Sequence, residues 1–186
     1  ATAISQELNW GTGDWNADSL GNQRVVVKVD KAADAVSAKI QWRRKDLNPE
    51  SKEILVFSKN TGEQVMNVIR KDINREFGEL VFEPIGGKGI YYLYYLPYRM
   101  TGSNNYPTVN YLIPKDNADP SWKTAALKKK KLPRAELVEM QAINEFHSFY
   151  PMEVIATGDE IEKLLADHSD KNFLLFPEDR LHPIKM

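Results

Sequence analysis

The sequence of 186 residues contains no cysteine. That absence excludes a disulfide framework, a zinc site with thiolate ligands and a cysteine nucleophile. It does not fix the cellular compartment, although a chain without cysteine suits an oxidising space. Histidine is scarce too, with His147, His168 and His182 as the 3 examples. None has a second ligand at the spacing of HxxxH or HExxH, so the sequence predicts no metal site and no cofactor.

Long apolar runs and an excess of one charge are also missing. No stretch approaches the roughly 18 apolar residues that a membrane-spanning helix needs. The 25 basic and 26 acidic residues leave a formal net charge of −1, so no long-range field attracts nucleic acid. We interpret the lysine run at Lys128–Lys131 as a solvated helix end rather than a nucleic-acid patch, because no aromatic residues interrupt it. We therefore expect neither a nucleic-acid partner nor a membrane span.

Alternating apolar residues, by contrast, are frequent in the first half of the chain. The richest stretch is Phe77–Tyr98, which predicts two strands, 78–83 and 90–98, joined by a tight turn at Gly86, Gly87 and Gly89. The second strand carries apolar or aromatic residues on both faces, as in a central strand covered on both sides. A tyrosine-rich ligand platform is the alternative, but aromatics at period two more often pack in a core.

Further strands are predicted over residues 24–30, 36–44, 54–58 and 64–69, with hairpin and proline turns between them. In the second of these, Val36, Ala38, Ile40 and Trp42 should point inward, because they alternate with polar residues. Spacings of about eight to twelve residues are typical of an antiparallel sandwich or jelly roll. The predicted fold is mainly β, with a β-sandwich domain over residues 1–98.

Residues 99–186 form the predicted second region, an extended linker followed by an α+β arm. Residues 99–120 are polar and rich in proline. Ser121 is the predicted N-cap of a helix over 121–132, with Trp122, Ala125, Ala126 and Leu127 facing inward. A strand over 136–142 follows, then strands 152–156 and 172–176 on either side of a helix over 157–168. We expect this arm to pack on the sandwich or on a downstream domain. Where such a domain is missing, Phe146, Phe149 and Tyr150 should be exposed or covered by a second copy of the chain.

The loop near the N-terminus holds the candidate binding residues. Trp10, Asp14, Trp15 and Asn16 lie close together in a stretch rich in glycine and asparagine. Exposed aromatic faces beside planar polar side chains are what a sugar ring needs, since it offers C–H faces and hydroxyls. Covering the end of a sandwich is the more frequent use of loop tryptophans. Both interpretations stay open at this point.

No arrangement of residues predicts catalysis. The sequence has no GxSxG motif, and the glycines at 86–89 lack the spacing and the Ser or Thr of a phosphate-binding loop. Glu178 and Asp179 are adjacent carboxylates, but neighbours on a strand point to opposite faces, so we do not expect one site to use both. A structural ion pair with Arg180 is the favoured interpretation of this spot. No catalytic residue is predicted.

Several phrases of the sequence resemble one family. They are the segments 42–68, 73–84, 89–98, 143–157 and 172–186, with FYPMEVIA and FPEDRLHPI as the most specific parts. Together they are similar to the N-terminal region of large bacterial proteins of the glycoside hydrolase family 123 type. The resemblance implies a β-sandwich that precedes a catalytic barrel in the same polypeptide. The catalytic carboxylates of such proteins lie in the barrel, and no position of this chain matches one.

The resemblance implies a non-catalytic accessory domain of a glycan-degrading protein of the N-acetylhexosaminidase type, with the downstream barrel as its partner. A stand-alone carbohydrate-binding module that uses the Trp10–Trp15 loop is the alternative, and a purely structural linker domain is a third hypothesis. We expect a secreted or periplasmic location. The start at Ala1 suits a removed signal peptide, and a trimmed boundary explains it equally well.

Overall fold

The computed structural model describes residues 9–42, 44, 46–103, 105–144 and 166. The chain divides into two units, Ala1–Glu153 and Val154–Met186. Apart from Ala166, all described residues lie in the first unit, and the fold is that of this unit.

The elements follow in chain order. The strands are β1 (Trp10–Thr12), β2 (Gln23–Val29), β3 (Val36–Ile40), β4 (Leu55–Ser58), β5 (Gln64–Val65), β6 (Val68–Ile73), β7 (Gly78–Phe82), β8 (Gly89–Tyr94), β9 (Tyr98–Ser103), β10 (Tyr106–Tyr111) and β11 (Glu136–Ala142). The helices are α1 (Ala17–Leu20) and α2 (Pro120–Lys128), and Pro49–Ser51 forms one turn of 3-10 helix.

The larger sheet has six strands in the order β1-β11-β2-β8-β4-β5. All neighbours in it are antiparallel except β1 and β11, which are parallel. Val25, Val27 and Val29 of β2 point to the core, because alternate residues of a strand share a face. Arg24, Val26 and Lys28 therefore belong to the opposite, outer face of this sheet.

The smaller sheet, β3-β7-β6, packs on the larger one through a shared core. Phe82 of β7 and Tyr91 of β8 meet across the two sheets, with ring centroids 5.2 Å apart. Trp42 is fully buried beside Tyr95 at 5.4 Å, and its indole N–H donates to the carbonyl of Asn74 at 2.8 Å. The predicted mainly β fold with antiparallel sheets and the inward position of Trp42 are confirmed, and the jelly-roll arrangement stays a prediction.

The predicted hairpin over residues 78–98 is wrong in its pairing. Both strands form, but β7 lies in the smaller sheet and β8 lies at the centre of the larger one. Gly87 and Gly89 have positive φ angles of 69° and 144°, as the prediction required, whereas Gly86 is not among the positive-φ glycines. The connection is too long for a two-residue turn, and it carries the chain across the core. Tyr91 secures it, since its hydroxyl accepts from the Gly86 N–H and donates to the Gly87 carbonyl.

The predicted strand over 64–69 is likewise two strands in two sheets. Val65 of β5 pairs with Val56 in the larger sheet, and Val68 of β6 pairs with Phe82 in the smaller one. A period-two pattern reports which residues alternate, and it does not report where the chain changes partner.

The region predicted as a linker contains an antiparallel hairpin, β9–β10, which forms a two-stranded sheet of its own. Its strands pair from Tyr98 and Tyr111 at the base to Ser103 and Tyr106 near the tip. Gly102 has a positive φ of 95°. A side chain there would meet the carbonyl oxygen of Tyr106 at 2.4 Å, which explains the glycine.

Helix α2 begins and ends earlier than predicted. Asp119, and not Ser121, is the N-cap, because its carboxylate accepts from the Trp122 N–H at 2.9 Å and Pro120 takes the first helical position. Trp122 and Ala126 face inward as predicted, and they pack in a small apolar cluster with Ala35, Ile69 and Val81. Leu127 and Ala125 are exposed, contrary to the prediction, since residues four apart share the inward face of this short helix.

Strand β11, assigned to the arm by the sequence, lies in the larger sheet between β1 and β2. The division at residue 98 stays a prediction. Ala166 is helical, and the other predictions for the C-terminal region lie outside the described residues: strands 152–156 and 172–176, the rest of helix 157–168, Phe146, Phe149, Tyr150, the three histidines, and the Glu178–Arg180 spot.

Candidate functional site

The four predicted binding residues do not converge on one surface. Trp10 lies in β1 opposite the buried Met140, so it shares the core-facing side of the sheet. Trp15 packs on the outer face, against Tyr94 and Arg24. Asp14 and Asn16 are exposed on either side of Trp15. The structure therefore brings together Asp14, Trp15 and Asn16 and separates Trp10 from them.

A short helix holds Trp15 in place. Asn16 caps α1, because its side-chain oxygen accepts from the Asp18 N–H at 3.0 Å. Gly21 ends the helix with a positive φ of 79°, and its carbonyl accepts the indole N–H of Trp15 at 2.7 Å. A side chain at Gly21 would lie 2.2 Å from the carbonyl oxygen of Leu96. The Trp15 indole therefore links the two ends of this loop, and Gly21 packs closely against Leu96, just after β8.

Arg24 is the centre of the cluster under Trp15. Its guanidinium carbon lies 3.8 Å from the ring centroid of Tyr92 and 4.4 Å from that of Trp15. Its Nε donates to Gln141 Oε1 at 2.7 Å, and its Nη1 donates to the hydroxyl of Tyr94 at 3.0 Å. Only 7% of Arg24 is exposed. The cation is therefore held by aromatic faces and neutral acceptors, an arrangement that stabilises a desolvated guanidinium.

Gly13 allows the loop to lie this close to the cluster. A side chain there would come within 2.7 Å of Arg24 Nη2, 2.8 Å of Gln141 Oε1 and 2.8 Å of the Trp15 ring. Gln141 is fixed in turn, since its Nε2 donates to a carboxylate oxygen of Glu139. The loop, β2, β8 and β11 are thereby joined through one set of side chains, which we call the Arg24 cluster: Trp15, Arg24, Tyr92, Tyr94 and Gln141.

A comparison with protein families identifies the domain. The model of the glycoside hydrolase 123 N-terminal domain matches residues 13–143. The chain belongs to this family. Neither the curated proteins nor the solved structures contain a significant match to it.

The first and last residues of the match to the glycoside hydrolase 123 N-terminal domain, Gly13 and Ile143, lie close together at the larger sheet. Gly13 N–H donates to the carbonyl of Ala142 at 3.0 Å, and Ile143 N–H donates to the carbonyl of Asn22 at 2.9 Å. The match contains the whole Arg24 cluster and excludes Trp10. The predicted resemblance is confirmed over this range.

A second arginine of this domain is more deeply buried. Arg44 is 0% exposed, and its Nε and Nη2 donate to the two carboxylate oxygens of Asp46, each at 2.8 Å. Lys52 also contacts Asp46, at 2.7 Å. Burial alone raises the pKa of Asp46, but the hydrogen bonds and charges of Arg44 and Lys52 outweigh it and bring that pKa below its ordinary value. This Arg44–Asp46 pair lies beside Trp42 and Tyr95, with the guanidinium 4.9 Å from the Trp42 ring.

Sequence reasoning missed Arg24, Tyr92, Tyr94 and Gln141 as one cluster. A signal for it existed, because Arg24 directly precedes three valines and Tyr92 and Tyr94 share one face of β8. Gln141, however, is 117 residues from Arg24 in the sequence, and only the strand order brings them together.

The residues that the structure describes include no group of three or more side chains suited to a metal ion. Within the same residues, no helix is long and apolar enough to cross a membrane. The contacts of the Arg24 cluster are ring stacking and neutral hydrogen bonds, which suit either a structural junction or contact with an uncharged ligand.

Proposed function

We propose that this chain is a non-catalytic accessory domain of a bacterial, glycan-degrading glycoside hydrolase, and that it supports a catalytic domain of the same polypeptide. Membership of the glycoside hydrolase 123 N-terminal domain family supports this proposal, because an N-terminal domain of such an enzyme implies a catalytic partner. We propose a secreted or periplasmic location as part of the same hypothesis, since a chain without cysteine suits an oxidising compartment.

The observation that carries the accessory role is the state of Trp15. Its N–H is used by the Gly21 carbonyl, the Arg24 guanidinium lies over its ring at 4.4 Å, and its ring packs edge-on with Tyr94 at 5.7 Å. A tryptophan that binds sugar needs a free ring face and often a free N–H. Trp15 is instead engaged on several sides, which favours a role in fastening the loop to the sheet.

The carboxyl groups also favour a non-catalytic domain. A glycosidase needs a general acid whose pKa is raised, with a second carboxylate nearby. Hydrogen bonds to lysine, serine or backbone groups lower the pKa of Asp34, Asp116 and Asp119, and Arg44 and Lys52 lower that of Asp46 against the effect of its burial. Such groups are ionised near neutral pH and lack the proton that a general acid donates.

Two experiments test the accessory role. The reading frame beyond Met186 should encode a further domain with acidic side chains at strand ends, and a stop codon directly after Met186 contradicts the proposal. The purified 186-residue chain should show no turnover of an aryl N-acetylhexosaminide above a denatured control, because no acid–base pair is expected in it. Turnover that survives repurification of the chain also contradicts the proposal.

The second candidate function is glycan binding by the loop. The observation in its favour is that Asp14 and Asn16 are exposed beside a half-buried Trp15. Titration with oligosaccharides that contain N-acetylgalactosamine, followed by tryptophan fluorescence, separates the two functions. We expect no saturable change. Trp15→Ala should lower the free energy of unfolding by about 1–3 kcal/mol, because it removes a half-buried aromatic that braces the loop.

Trp10→Ala is the matched control for this titration, since Trp10 lies on the other face of the sheet. A saturable signal that disappears in Trp15→Ala and persists in Trp10→Ala establishes glycan binding and removes the purely accessory role.

A further inference from the structure

The β9–β10 hairpin has one apolar face and one polar face. In the pairing register Tyr98 lies opposite Tyr111, Met100 opposite Val109, and Gly102 opposite Pro107. The intervening pairs are Arg99 with Asn110, Thr101 with Thr108, and Ser103 with Tyr106. Because directly paired residues share a face, the first set forms a continuous apolar strip and the second set, with the exception of Tyr106, is polar.

The distal part of the apolar strip is exposed. Met100 is 56% exposed and Val109 is 47% exposed. At the base, Tyr98 and Tyr111 contact each other with centroids 6.5 Å apart, and Lys52 Nζ lies 4.8 Å from the Tyr111 ring. The base is therefore anchored to the domain, whereas Met100 and Val109 face solvent. A two-stranded sheet is marginally stable in water unless one of its faces is covered.

The polypeptide leaves the large sheet next to the base of this hairpin. Asn22 connects the two places, because its carbonyl accepts from Ile143 N–H at 2.9 Å and its side chain accepts from the Tyr98 hydroxyl at 3.3 Å. Ile143 directly follows β11, the last strand within the described residues, and is the final residue of the family match. The end of the family match at Ile143 therefore lies beside the base of the apolar strip.

We propose that the apolar strip of the β9–β10 hairpin is the surface on which the catalytic domain of the same polypeptide docks. This inference rests on the proposed accessory function and adds the contact surface to it. The docked surface of the catalytic domain is apolar opposite Met100 and Val109. The polar face, on which Asn110 donates to the Thr101 hydroxyl at 2.9 Å, stays in solvent.

Methionine oxidation tests the docking directly. Met100 and Met66 are both exposed, at 56% and 49%, and only Met100 lies on the hairpin. A short pulse of hydrogen peroxide, read by peptide mass spectrometry, should oxidise both at similar rates in the 186-residue chain. In the full-length polypeptide Met100 should react about tenfold more slowly than Met66, because oxidation follows exposure. Equal rates in an active full-length enzyme overturn the docking while leaving the accessory function in place.

The other occupants of the strip give different results. Protection of Met100 in the 186-residue chain at every concentration means that the chain covers the strip itself. Protection that appears only as the concentration rises means that a second copy covers it. Either outcome overturns the proposal. A full-length polypeptide without hydrolase activity contradicts the accessory function instead, and this is read in a separate assay.

Two substitutions test whether the catalytic domain contacts the apolar strip or the polar face of the hairpin. Val109→Lys, in full-length protein, should restore rapid oxidation of Met100, because the charge lies directly opposite it in the strip. Thr108→Lys, one residue away on the polar face, should leave Met100 protected. Val109→Thr serves if the lysine variant does not fold. The proposal is overturned if Met100 is protected equally in Thr108→Lys and in the folded Val109 variant.

Discussion

Arg24 and Arg44 are both buried and both lie over aromatic rings, but their charges are compensated in different ways. Arg44 has a bidentate contact with Asp46, whereas Arg24 contacts the neutral Gln141 and Tyr94 together with the rings of Tyr92 and Trp15. None of the ion pairs found among the described residues involves Arg24. The fully buried Arg44 is therefore paired with a carboxylate. Arg24, at the outer face of the larger sheet, is held by aromatic rings, a tyrosine hydroxyl and a side-chain amide.

The difference has an energetic consequence. Removing one member of a buried ion pair leaves an uncompensated charge, which is costly. Removing Arg24 leaves only neutral acceptors without a donor, which costs less. The Arg44 side of the molecule should therefore be sensitive to loss of charge, and the Arg24 side to loss of shape and hydrogen bonds.

The largest effect is expected where Arg44 meets the core. Trp42→Ala should lower the free energy of unfolding by about 3–5 kcal/mol, because it empties a fully buried aromatic site. Urea unfolding of the wild-type chain and the variant measures this loss. Trp15→Ala, on the Arg24 side, is the comparison and should cost less. A loss below about 1 kcal/mol for Trp42→Ala contradicts the assigned inward position of Trp42.

The next effect concerns the charge of Asp46. Asp46→Asn should cost about 3 kcal/mol, since Arg44 stays buried without a charged partner. Urea unfolding again provides the measurement, and Glu79→Gln is the control. Glu79 contacts Lys71 at 3.4 Å with both side chains partly exposed, so its loss should cost less than about 1 kcal/mol. If Asp46→Asn and Glu79→Gln lower the free energy of unfolding by similar amounts, the Arg44–Asp46 pair contributes no more than a surface ion pair does.

A smaller effect is expected at Arg24. Arg24→Met keeps an unbranched side chain against the rings and removes the two hydrogen bonds to Gln141 and Tyr94, so it should cost about 1–2 kcal/mol. Arg24→Lys should lose a similar amount, because an ammonium cannot reproduce the planar fork of a guanidinium. Full stability of the lysine variant in thermal unfolding means that the geometry of these hydrogen bonds does not stabilise the cluster.

The smallest effect is a dependence on pH. The folded-state pKa of Asp46 lies below the ordinary value of 3.8, so its contribution to stability is complete above that pH and is lost as the pH falls through the folded pKa. Wild-type stability should therefore decline in this acidic range, with a shallower decline in Asp46→Asn. Arg24→Met should leave the slope unchanged. Parallel slopes for wild type and Asp46→Asn mean that the pair does not perturb Asp46.

The sequence predicts the parts of this fold that depend on local alternation. The inward positions of alternate β3 residues and of Trp42, which lies two residues beyond the strand, follow from period two alone. The sheet membership of β7 and β8 does not, because consecutive strands with apolar faces fit either a hairpin or a crossing between layers. Only the neighbours β2 and β4, which flank β8, decide between them.

The candidate site was predictable to a smaller extent. Trp15 could be selected as a residue of interest because tryptophan in a glycine-rich loop is conspicuous. Its partners Arg24 and Gln141 could not, since a buried arginine held by neutral groups leaves no charge pattern in the sequence. The separation of Trp10 from Trp15 follows from the pairing of β1 with β11, which joins distant segments.

The position of β11 between β1 and β2 has a consequence during synthesis of the protein. Arg24 of β2 and Gln141 of β11 are 117 residues apart, so a ribosome needs roughly 6–23 seconds to make the second after the first. During that interval one edge of β2 has no partner strand, and the backbone of its run of three valines, Val25–Val27, is available to other chains. Closure of the large sheet is therefore a late event that depends on distant segments, and we expect folding to be slow and most prone to aggregation just before residue 142 emerges.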